Sequence, residues 1–337
     1  MAESVYPAVD TGGRWTDERV AVKRALQGLG WEPGGFEVRV VEGDAWWGDA
    51  EATVRFASPR ERGPATQREV VMRWYRARDA EGRLVEGAVA HPTLVLVHSL
   101  HPGMVLARAI ARGVSDAGWH VLVMELPGYG DRRGRRGAFA GMVAIEDGVQ
   151  AVADARRAWD AVRVLPGVDG ERVSLGGVSL GGVVAATAGG LDGGLKPPAK
   201  RGSEGVGYRS LHVLFAGGDL WDGVLGKPAK DAVFVRRAFE RQPGGLAALR
   251  ERLKGLEPVR LAHRLDPERV WLISAADDMV FPAASAAAWA DAVGVEGLPV
   301  EHRVVFAGQH YTAALALPAV VGELVRQLGV VGEAGEE

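Results

Sequence analysis

The sequence of 337 residues contains no cysteine. This excludes disulfide bonds, thiolate metal sites and a cysteine nucleophile, and it leaves the redox compartment open. The sequence also lacks a strong excess of one charge, because 40 Lys and Arg residues stand against 43 Asp and Glu residues and the formal net charge is −3. Such a balance provides no electrostatic attraction for nucleic acid or for an anionic membrane surface. We therefore expect no nucleic-acid partner and no membrane partner.

Long apolar runs are absent as well. No stretch approaches the roughly eighteen apolar residues that a transmembrane helix needs, and the first ten residues, MAESVYPAVD, have neither the basic nor the apolar region of a signal peptide. These absences predict a cytoplasmic location. Hydrophobic residues still make up 47% of the chain, and a chain of this length and composition can bury a large core.

Six nearly continuous apolar runs, bounded by Gly, Pro and Asp, alternate with stretches of helical period. They cover residues 93–100, 120–126, 172–179, 211–218, 269–277 and 302–308. Strands that are buried on both faces of a parallel sheet have this composition. Two upstream runs, 52–59 and 69–78, alternate apolar and polar residues, which predicts antiparallel strands at the edge of the sheet. The pattern predicts an α/β fold, a mostly parallel sheet with helices on both faces.

Two segments do not follow this alternation. Residues 1–50 contain a predicted helix at 16–30 and the aromatic sequence EGDAWWGD, and we expect this N-terminal extension to pack on the core. Residues 222–266 have the pattern of two or three amphipathic helices, interrupted at Pro243 and Gly244. We expect them to form a helical cap inserted in a domain that spans residues 51–337.

A single serine ends the third apolar run. Ser179 lies between Gly177 and Gly181, and a stretch of small apolar residues follows it. A serine at a sharp strand-to-helix turn presents its hydroxyl clear of the sheet, and the strained turn leaves no space for Cβ atoms two positions away. The backbone N–H of Leu180, at the start of the helix, would then face a developing oxyanion. Ser179 is therefore a candidate nucleophile.

A serine nucleophile needs a base, and the base needs a carboxylate that orients it. Asp277 ends the fifth apolar run and His310 follows the sixth. The carboxyl ends of parallel strands meet at one edge of a sheet, so both residues are expected at the edge where Ser179 emerges. The order along the chain is serine, aspartate, histidine.

These motifs resemble those of the α/β-hydrolase superfamily. GVSLG is similar to the nucleophile elbow, AADDMVFP to the acid turn and AGQHYT to the histidine loop. LVHSLHPG is similar to the histidine-glycine oxyanion turn, with Ser99 where the family usually has glycine. MELPGYGD is similar to the family's Asp-x-Pro-Gly-x-Gly stretch, with Glu125 in place of the aspartate. The resemblance covers roughly residues 52–220 and 267–325.

The resemblance implies an α/β-hydrolase fold and a serine hydrolase that cleaves a carboxylic ester or related acyl compound through an acyl-enzyme. It implies that Ser179, Asp277 and His310 are the catalytic residues. It also implies an oxyanion hole formed by the backbone N–H groups of Leu100 and Leu180. Peptidases, thioesterases and acyltransferases share these motifs, and a catalytically inactive binding protein on the same fold is an alternative of a different class.

Neighbouring residues leave alternatives open. Asp278 could replace Asp277 as the acid, although we favour Asp277 because a valine then falls three residues later, as in similar sequences. Asp219 is a further candidate acid, since some members of the superfamily carry the acid after the preceding strand. His302 is a rival of His310, but it begins a strand instead of following one.

Other features indicate little further chemistry. His98 and His101 flank the predicted oxyanion turn, and we expect them to have a structural, hydrogen-bonding role. The sequence contains no metal-ligand spacing and no glycine-rich phosphate loop ahead of a helix. We therefore predict no metal and no cofactor, and we expect the partner to be a small-molecule acyl substrate.

Overall fold

The computed structural model describes residues 2–11, 30–43, 50–60, 65–85, 89–100, 104–133, 145–192, 207–220, 233–240, 245–253 and 257–333. The strands within these ranges are β1 (Glu3–Val9), β2 (Gly35–Glu42), β3 (Ala52–Ala57), β4 (Glu69–Tyr75), β5 (His91–Val97), β6 (His120–Met124), β7 (Val168–Val178), β8 (Leu211–Leu214), β9 (Val270–Ala275) and β10 (Arg303–Phe306). They form one sheet in the order β1-β2-β3-β4-β6-β5-β7-β8-β9-β10.

The six apolar runs form the parallel part of this sheet. Strands β6, β5, β7, β8, β9 and β10 are neighbours, and each adjacent pair of them is parallel. The last five residues of β5, the last six of β7 and all of β8 are buried, as strands covered by helices on both faces should be. The prediction of a mostly parallel sheet is confirmed. Its carboxyl edge carries the turns in which the candidate residues lie.

The antiparallel part of the sheet is wider than the sequence predicts. Strands β3 and β4 pair antiparallel, as expected, and β4 pairs antiparallel with β6. The prediction that β3 and β4 lie at the edge is wrong, because β2 pairs with β3 and β1 pairs with β2. Asp10, which follows β1, forms an ion pair with Arg157 of the helix Ile145–Val162.

The helices are α1 (Val105–Asp116), α2 (Ile145–Val162), α3 (Leu180–Asp192), α4 (Val233–Glu240), α5 (Gly245–Leu253), α6 (Pro258–Leu261), α7 (Ala283–Ala292) and α8 (Leu317–Glu333). Residues of α2, α3 and α7 belong to one apolar cluster, and residues of α1 and α8 belong to a second. Both clusters include side chains of the parallel strands, whose residues alternate between the two faces. The sheet is therefore covered on both faces.

Helices α4 and α5 lie in the segment predicted as a cap. Helix α4 ends before Pro243 and α5 begins after Gly244, and these two residues lie outside the described ranges. The helix predicted at 16–30 and the aromatic sequence after it also fall largely outside the described ranges. Among the helices that the structure describes, none combines the length and apolar character required to cross a membrane.

Candidate active site

Ser179 lies in a tight turn between β7 and α3. Its backbone φ is +55°, a left-handed conformation that is uncommon for a residue with a side chain. Two backbone hydrogen bonds hold the turn: Ser179 N donates to Leu214 O over 2.8 Å, and Ser179 O accepts from Val183 N over 3.1 Å. The strained backbone is thus fixed by the neighbouring strand β8 and by the first turn of α3.

Close backbone contacts explain the two glycines that flank Ser179. A Cβ atom on Gly177 would lie 2.1 Å from Gly181 O, and a Cβ atom on Gly181 would lie 2.2 Å from Val97 O and 2.5 Å from His98 O. Backbone oxygens cannot move aside as a flexible side chain can, so both positions require glycine. The contact of Gly181 with Val97 O and His98 O also shows that the turn packs directly against the end of β5.

The structure brings Ser179 and His310 together. Ser179 Oγ lies 2.9 Å from His310 Nε2, and His310 Nδ1 lies 2.7 Å from Asp278 Oδ2. A carboxylate can only accept, so Nδ1–H donates to Asp278 and the unprotonated Nε2 is left to accept from the serine hydroxyl. The three side chains form one hydrogen-bonded chain in the order that a serine nucleophile requires.

The aspartate in this chain is Asp278, not Asp277 as we favoured from the sequence. Asp277 is exposed, whereas Asp278 is buried, with 5% of its surface accessible. The backbone N–H of Asp277 donates to Gly308 O over 2.9 Å, which continues the pairing of β9 and β10 beyond the strands. The chain turns at residues 276–277, and the residue after this turn, Asp278, directs its carboxylate to His310.

Backbone amides hold the Asp278 side chain in place. Asp278 Oδ1 accepts from Val280 N over 2.8 Å and from Phe281 N over 2.7 Å. One carboxylate oxygen is therefore occupied by two fixed donors, and the other is left for His310. The sequence has no signal that separates the two aspartates, because either carboxylate could accept from amides two or three residues later.

The other candidate residues lie in different surroundings. His302 Nδ1 lies 3.1 Å from Pro267 O, and its ring stacks on Trp271 with the ring centres 4.6 Å apart. It precedes β10, at the end of the strand opposite to His310. Asp219 follows β8, where its backbone oxygen accepts from Ser285 Oγ over 3.2 Å.

The turn after β5 lies beside the serine turn. Leu180 is the first residue of α3, where backbone N–H groups have no intrahelical acceptor. Leu100 follows β5 and is half-buried, like Leu180. Because Gly181 contacts the backbone oxygens at the end of β5, the residues that carry both predicted oxyanion donors lie in adjoining segments.

His98 holds the turn after β5 by two hydrogen bonds. Its Nε2 accepts from Leu126 N over 3.0 Å, so its Nδ1 carries the proton and donates to Ser99 O. Ser99 O belongs to the same peptide group as the N–H of Leu100. A peptide group is planar and trans, so its C=O and N–H point in opposite directions, and His98 thereby sets the direction of the Leu100 N–H. His101 lies outside the described residues.

Glu125, which stands where the family usually has aspartate, is completely buried. Its Oε1 accepts from Arg73 Nε over 2.8 Å, and its Oε2 accepts from Asp131 N over 2.7 Å. Burial raises the pKa of Glu125, and the Arg73 guanidinium opposes that rise. The longer side chain is accommodated by Gly130, where a Cβ atom would lie 2.4 Å from Glu125 Cδ.

Within the ranges that the structure describes, no group of three or more His, Asp or Glu side chains is placed to hold a metal ion. No family model matches the chain and no curated protein matches it in sequence.

Solved structures share the fold. An acetyl xylan esterase from Paenibacillus sp. R4 is 15% identical with a TM-score of 0.56, over 91% of this chain and 95% of that chain. Acetyl xylan esterase 1 from Thermoanaerobacterium sp. JW/SL YS485 is 17% identical with a TM-score of 0.52, over 89% of each chain. A protein from Bacteroides ovatus ATCC 8483 assigned as a dipeptidyl aminopeptidase IV is 13% identical with a TM-score of 0.54, over 88% of this chain and 41% of that chain. Together with the sheet order and the strand-turn-helix around Ser179, these similarities show that the chain has the α/β-hydrolase fold.

Proposed function

We propose that the protein is a serine hydrolase that cleaves a carboxylic ester, or a related acyl compound, through an acyl-enzyme. The observation that supports this most strongly is the unbroken hydrogen-bonded chain from Ser179 through His310 to Asp278. Its members come from three separate turns at the carboxyl edge of the sheet. A hydrogen bond that only stabilised the fold would not require a serine with a strained backbone.

In the proposed mechanism, Ser179 Oγ attacks the substrate carbonyl carbon while its proton passes to His310 Nε2. The imidazolium that forms is stabilised by the Asp278 carboxylate, which also keeps the proton on Nδ1. The carbonyl oxygen becomes an oxyanion, for which we propose the backbone N–H groups of Leu180 and Leu100 as donors.

The tetrahedral intermediate then loses its leaving group. The bond between the carbonyl carbon and the leaving oxygen breaks, and His310 Nε2 returns the proton to that oxygen. Water then attacks the acyl-enzyme while its proton passes to His310 Nε2, and this proton returns to Ser179 Oγ as the bond between the acyl carbon and Oγ breaks, which releases the carboxylic acid. The residues of this site supply each proton transfer without a further acid or base.

We further propose that residues 222–266 form a cap that determines which substrates reach Ser179. Helices α4 and α5 contact each other, and α5 contacts α2 on one face of the sheet. An insertion after β8 leaves the sheet at the edge that carries the serine turn, where segments of this kind commonly control access.

Labelling with a fluorophosphonate probe tests the proposal, because the probe reacts covalently with an activated serine. Wild-type protein should be labelled at Ser179, and Ser179→Ala should be folded, unlabelled and slower in ester hydrolysis by several powers of ten. Substrates should include p-nitrophenyl esters of increasing chain length, a thioester and an aminoacyl amide, since all three bond types suit this mechanism.

Two results would contradict the proposal. Labelling that persists in Ser179→Ala would place the nucleophile elsewhere. A folded wild-type protein with neither labelling nor turnover on any of these compounds would instead favour a binding protein on a hydrolase fold.

A further inference from the structure

We propose that Tyr311 contacts the leaving group of the substrate, and that this site prefers esters of neutral aromatic alcohols. The inference rests on the proposed function, because it needs His310 to act as the base. It identifies a specificity-determining side chain that the hydrogen-bonded chain itself does not include.

The first step concerns access. Only 9% of the His310 side chain and 2% of the Asp278 side chain are exposed, and Ser179 is 8% exposed. The substrate can therefore reach only a small part of the serine–histidine pair. Whatever surrounds that opening meets the parts of the substrate that lie outside it.

The second step concerns the direction of the leaving group. The proton taken from Ser179 must be returned to the leaving oxygen, and His310 Nε2 is the atom that carries it. The leaving oxygen must therefore come within hydrogen-bond distance of His310, and the oxyanion lies on the other side, toward α3. The rest of the alcohol extends past the histidine loop.

The third step identifies the side chains beside His310. Two aromatic rings contact its imidazole: Phe281, with the ring centres 5.8 Å apart, and Tyr311, with the centres 5.3 Å apart and the rings nearly perpendicular at 87°. Phe281 is 6% exposed and belongs to the core, whereas Tyr311 is 62% exposed. Tyr311 thus combines contact with the base and a surface open to a ligand.

Two further exposed apolar residues lie close in sequence to the site residues, one in the turn after β9 and one in the 3-10 helix Thr312–Ala316 that follows Tyr311. Met279 follows Asp278 and is 48% exposed, and Leu315 lies four residues after Tyr311 and is 85% exposed. We call Met279, Tyr311 and Leu315 the apolar rim. Exposed apolar side chains that lie within a few residues of reactive groups are typical of a surface that a ligand covers.

The charge next to this rim restricts the ligand further. Asp277 is exposed, and its backbone is paired with Gly308 of the histidine loop. A carboxylate at that place repels an anionic leaving group. An aromatic leaving group can cover the apolar rim and can also pack the edge or face of its ring against the ring of Tyr311. The favoured leaving group is therefore a neutral phenol or naphthol.

Two acetate esters test the proposal, naphthyl acetate and trifluoroethyl acetate, which form the same acetyl-enzyme. In Tyr311→Ala, the ratio of kcat/KM for naphthyl over trifluoroethyl acetate should fall about tenfold relative to the wild type, the effect of one lost aromatic contact. Tyr311→Phe keeps the ring and should keep the ratio. Val295→Ala, at a side chain 99% exposed in the turn after α7, is the matched control and should leave both rates unchanged.

Burst kinetics separate contact with the leaving group from support of His310. The rate constant of deacylation should be the same in Tyr311→Ala and wild type, because the alcohol has already left. A ratio within about twofold of the wild type, or acylation and deacylation slowed by the same factor, would overturn the inference. If the wild type neither hydrolyses these esters nor reacts with a fluorophosphonate, the proposed function is wrong and this inference is wrong with it. If the wild type hydrolyses both esters and Tyr311→Ala leaves the ratio of the two kcat/KM values unchanged, only this inference is refuted.

Discussion

Replacing Asp278 by asparagine should disable His310 by changing which of its nitrogens carries the proton. An asparagine has one oxygen and one NH₂ group, whereas the carboxylate of Asp278 accepts hydrogen bonds on both sides. Its Oδ1 faces the N–H groups of Val280 and Phe281, and its Oδ2 faces His310 Nδ1. If the asparagine oxygen keeps the two backbone donors, its NH₂ group faces His310. Nδ1 must then accept, and the proton moves to Nε2, which can no longer take the proton of Ser179.

The reverse orientation of the asparagine is costly. It would restore an acceptor for His310 but would direct the NH₂ group at the two backbone N–H groups. Leaving two buried donors without acceptors costs about 2–6 kcal/mol, which corresponds to roughly 30-fold to 20,000-fold in population. Repulsion between facing donors moves the value toward the upper end, and the loss of the Asp278 charge adds to it. We therefore expect kcat/KM to fall about a thousandfold or more.

Asp277→Asn is the matched control. The Asp277 side chain is exposed, and the N–H that pairs with Gly308 is retained in the variant, so kcat/KM should change by about threefold or less. Ester hydrolysis should be measured for both variants, with thermal unfolding to show that each is folded. Equal losses in the two variants, or an Asp278→Asn variant that keeps more than about a tenth of the activity, would refute the reasoning. A large loss in Asp219→Asn alone would place the acid after β8.

Three further predictions concern the support of the site and the fold. A methyl group at Gly181 would lie 2.2 Å from Val97 O, so Gly181→Ala should lower the free energy of unfolding by at least about 3 kcal/mol. Nothing lies within 4 Å of a methyl group at Gly148 in α2, so Gly148→Ala should raise the free energy of unfolding by about 0.5–1 kcal/mol. Denaturant unfolding of the two variants measures this contrast. His98→Phe removes the hydrogen bonds that orient the oxyanion turn, so kcat should fall about tenfold to a hundredfold with KM little changed, and a rise in KM alone would contradict this role. Burial lowers the pKa of His212 from its ordinary value of 6.5 to about 4, so the unfolded chain takes up a proton first as the pH falls. The free energy of unfolding should therefore decrease between pH 6.5 and 4, by up to about 3 kcal/mol. His212→Gln should make the free energy of unfolding less dependent on pH in this range.

Much of the fold is determined by local patterns in the sequence. A strand covered on both faces must be apolar at successive positions, so the six runs predict the parallel strands without knowledge of their neighbours. The serine turn is local only in part, since the close contact of Gly177 is with Gly181 inside the turn, whereas Gly181 meets Val97 O at the end of β5. His310 is predictable because it lies in the loop after the last parallel strand.

The N-terminal strands were missed for a physical reason. Only one residue of β1 is fully buried, and Pro7 lies within the strand, so β1 has neither a strong alternation nor a continuous apolar run. β2 does alternate, with Phe36, Val38 and Val40 on one face, and this signal could have been found. What makes β1 a strand is its pairing with β2, a contact between residues about thirty positions apart.

The choice between two adjacent aspartates was made by tertiary structure. In sequence, Asp277 and Asp278 differ by one position at the end of the same strand, and both carry the same carboxylate. The pairing of Asp277 with Gly308 sets where the strand stops, and the amides of Val280 and Phe281 set how the Asp278 side chain is held. The chain pattern alone thus determined the parallel strands and the order of the site residues, whereas the aspartate that bonds to His310 was selected by the turn after β9 and the loop after β10, which meet only when these two strands lie side by side.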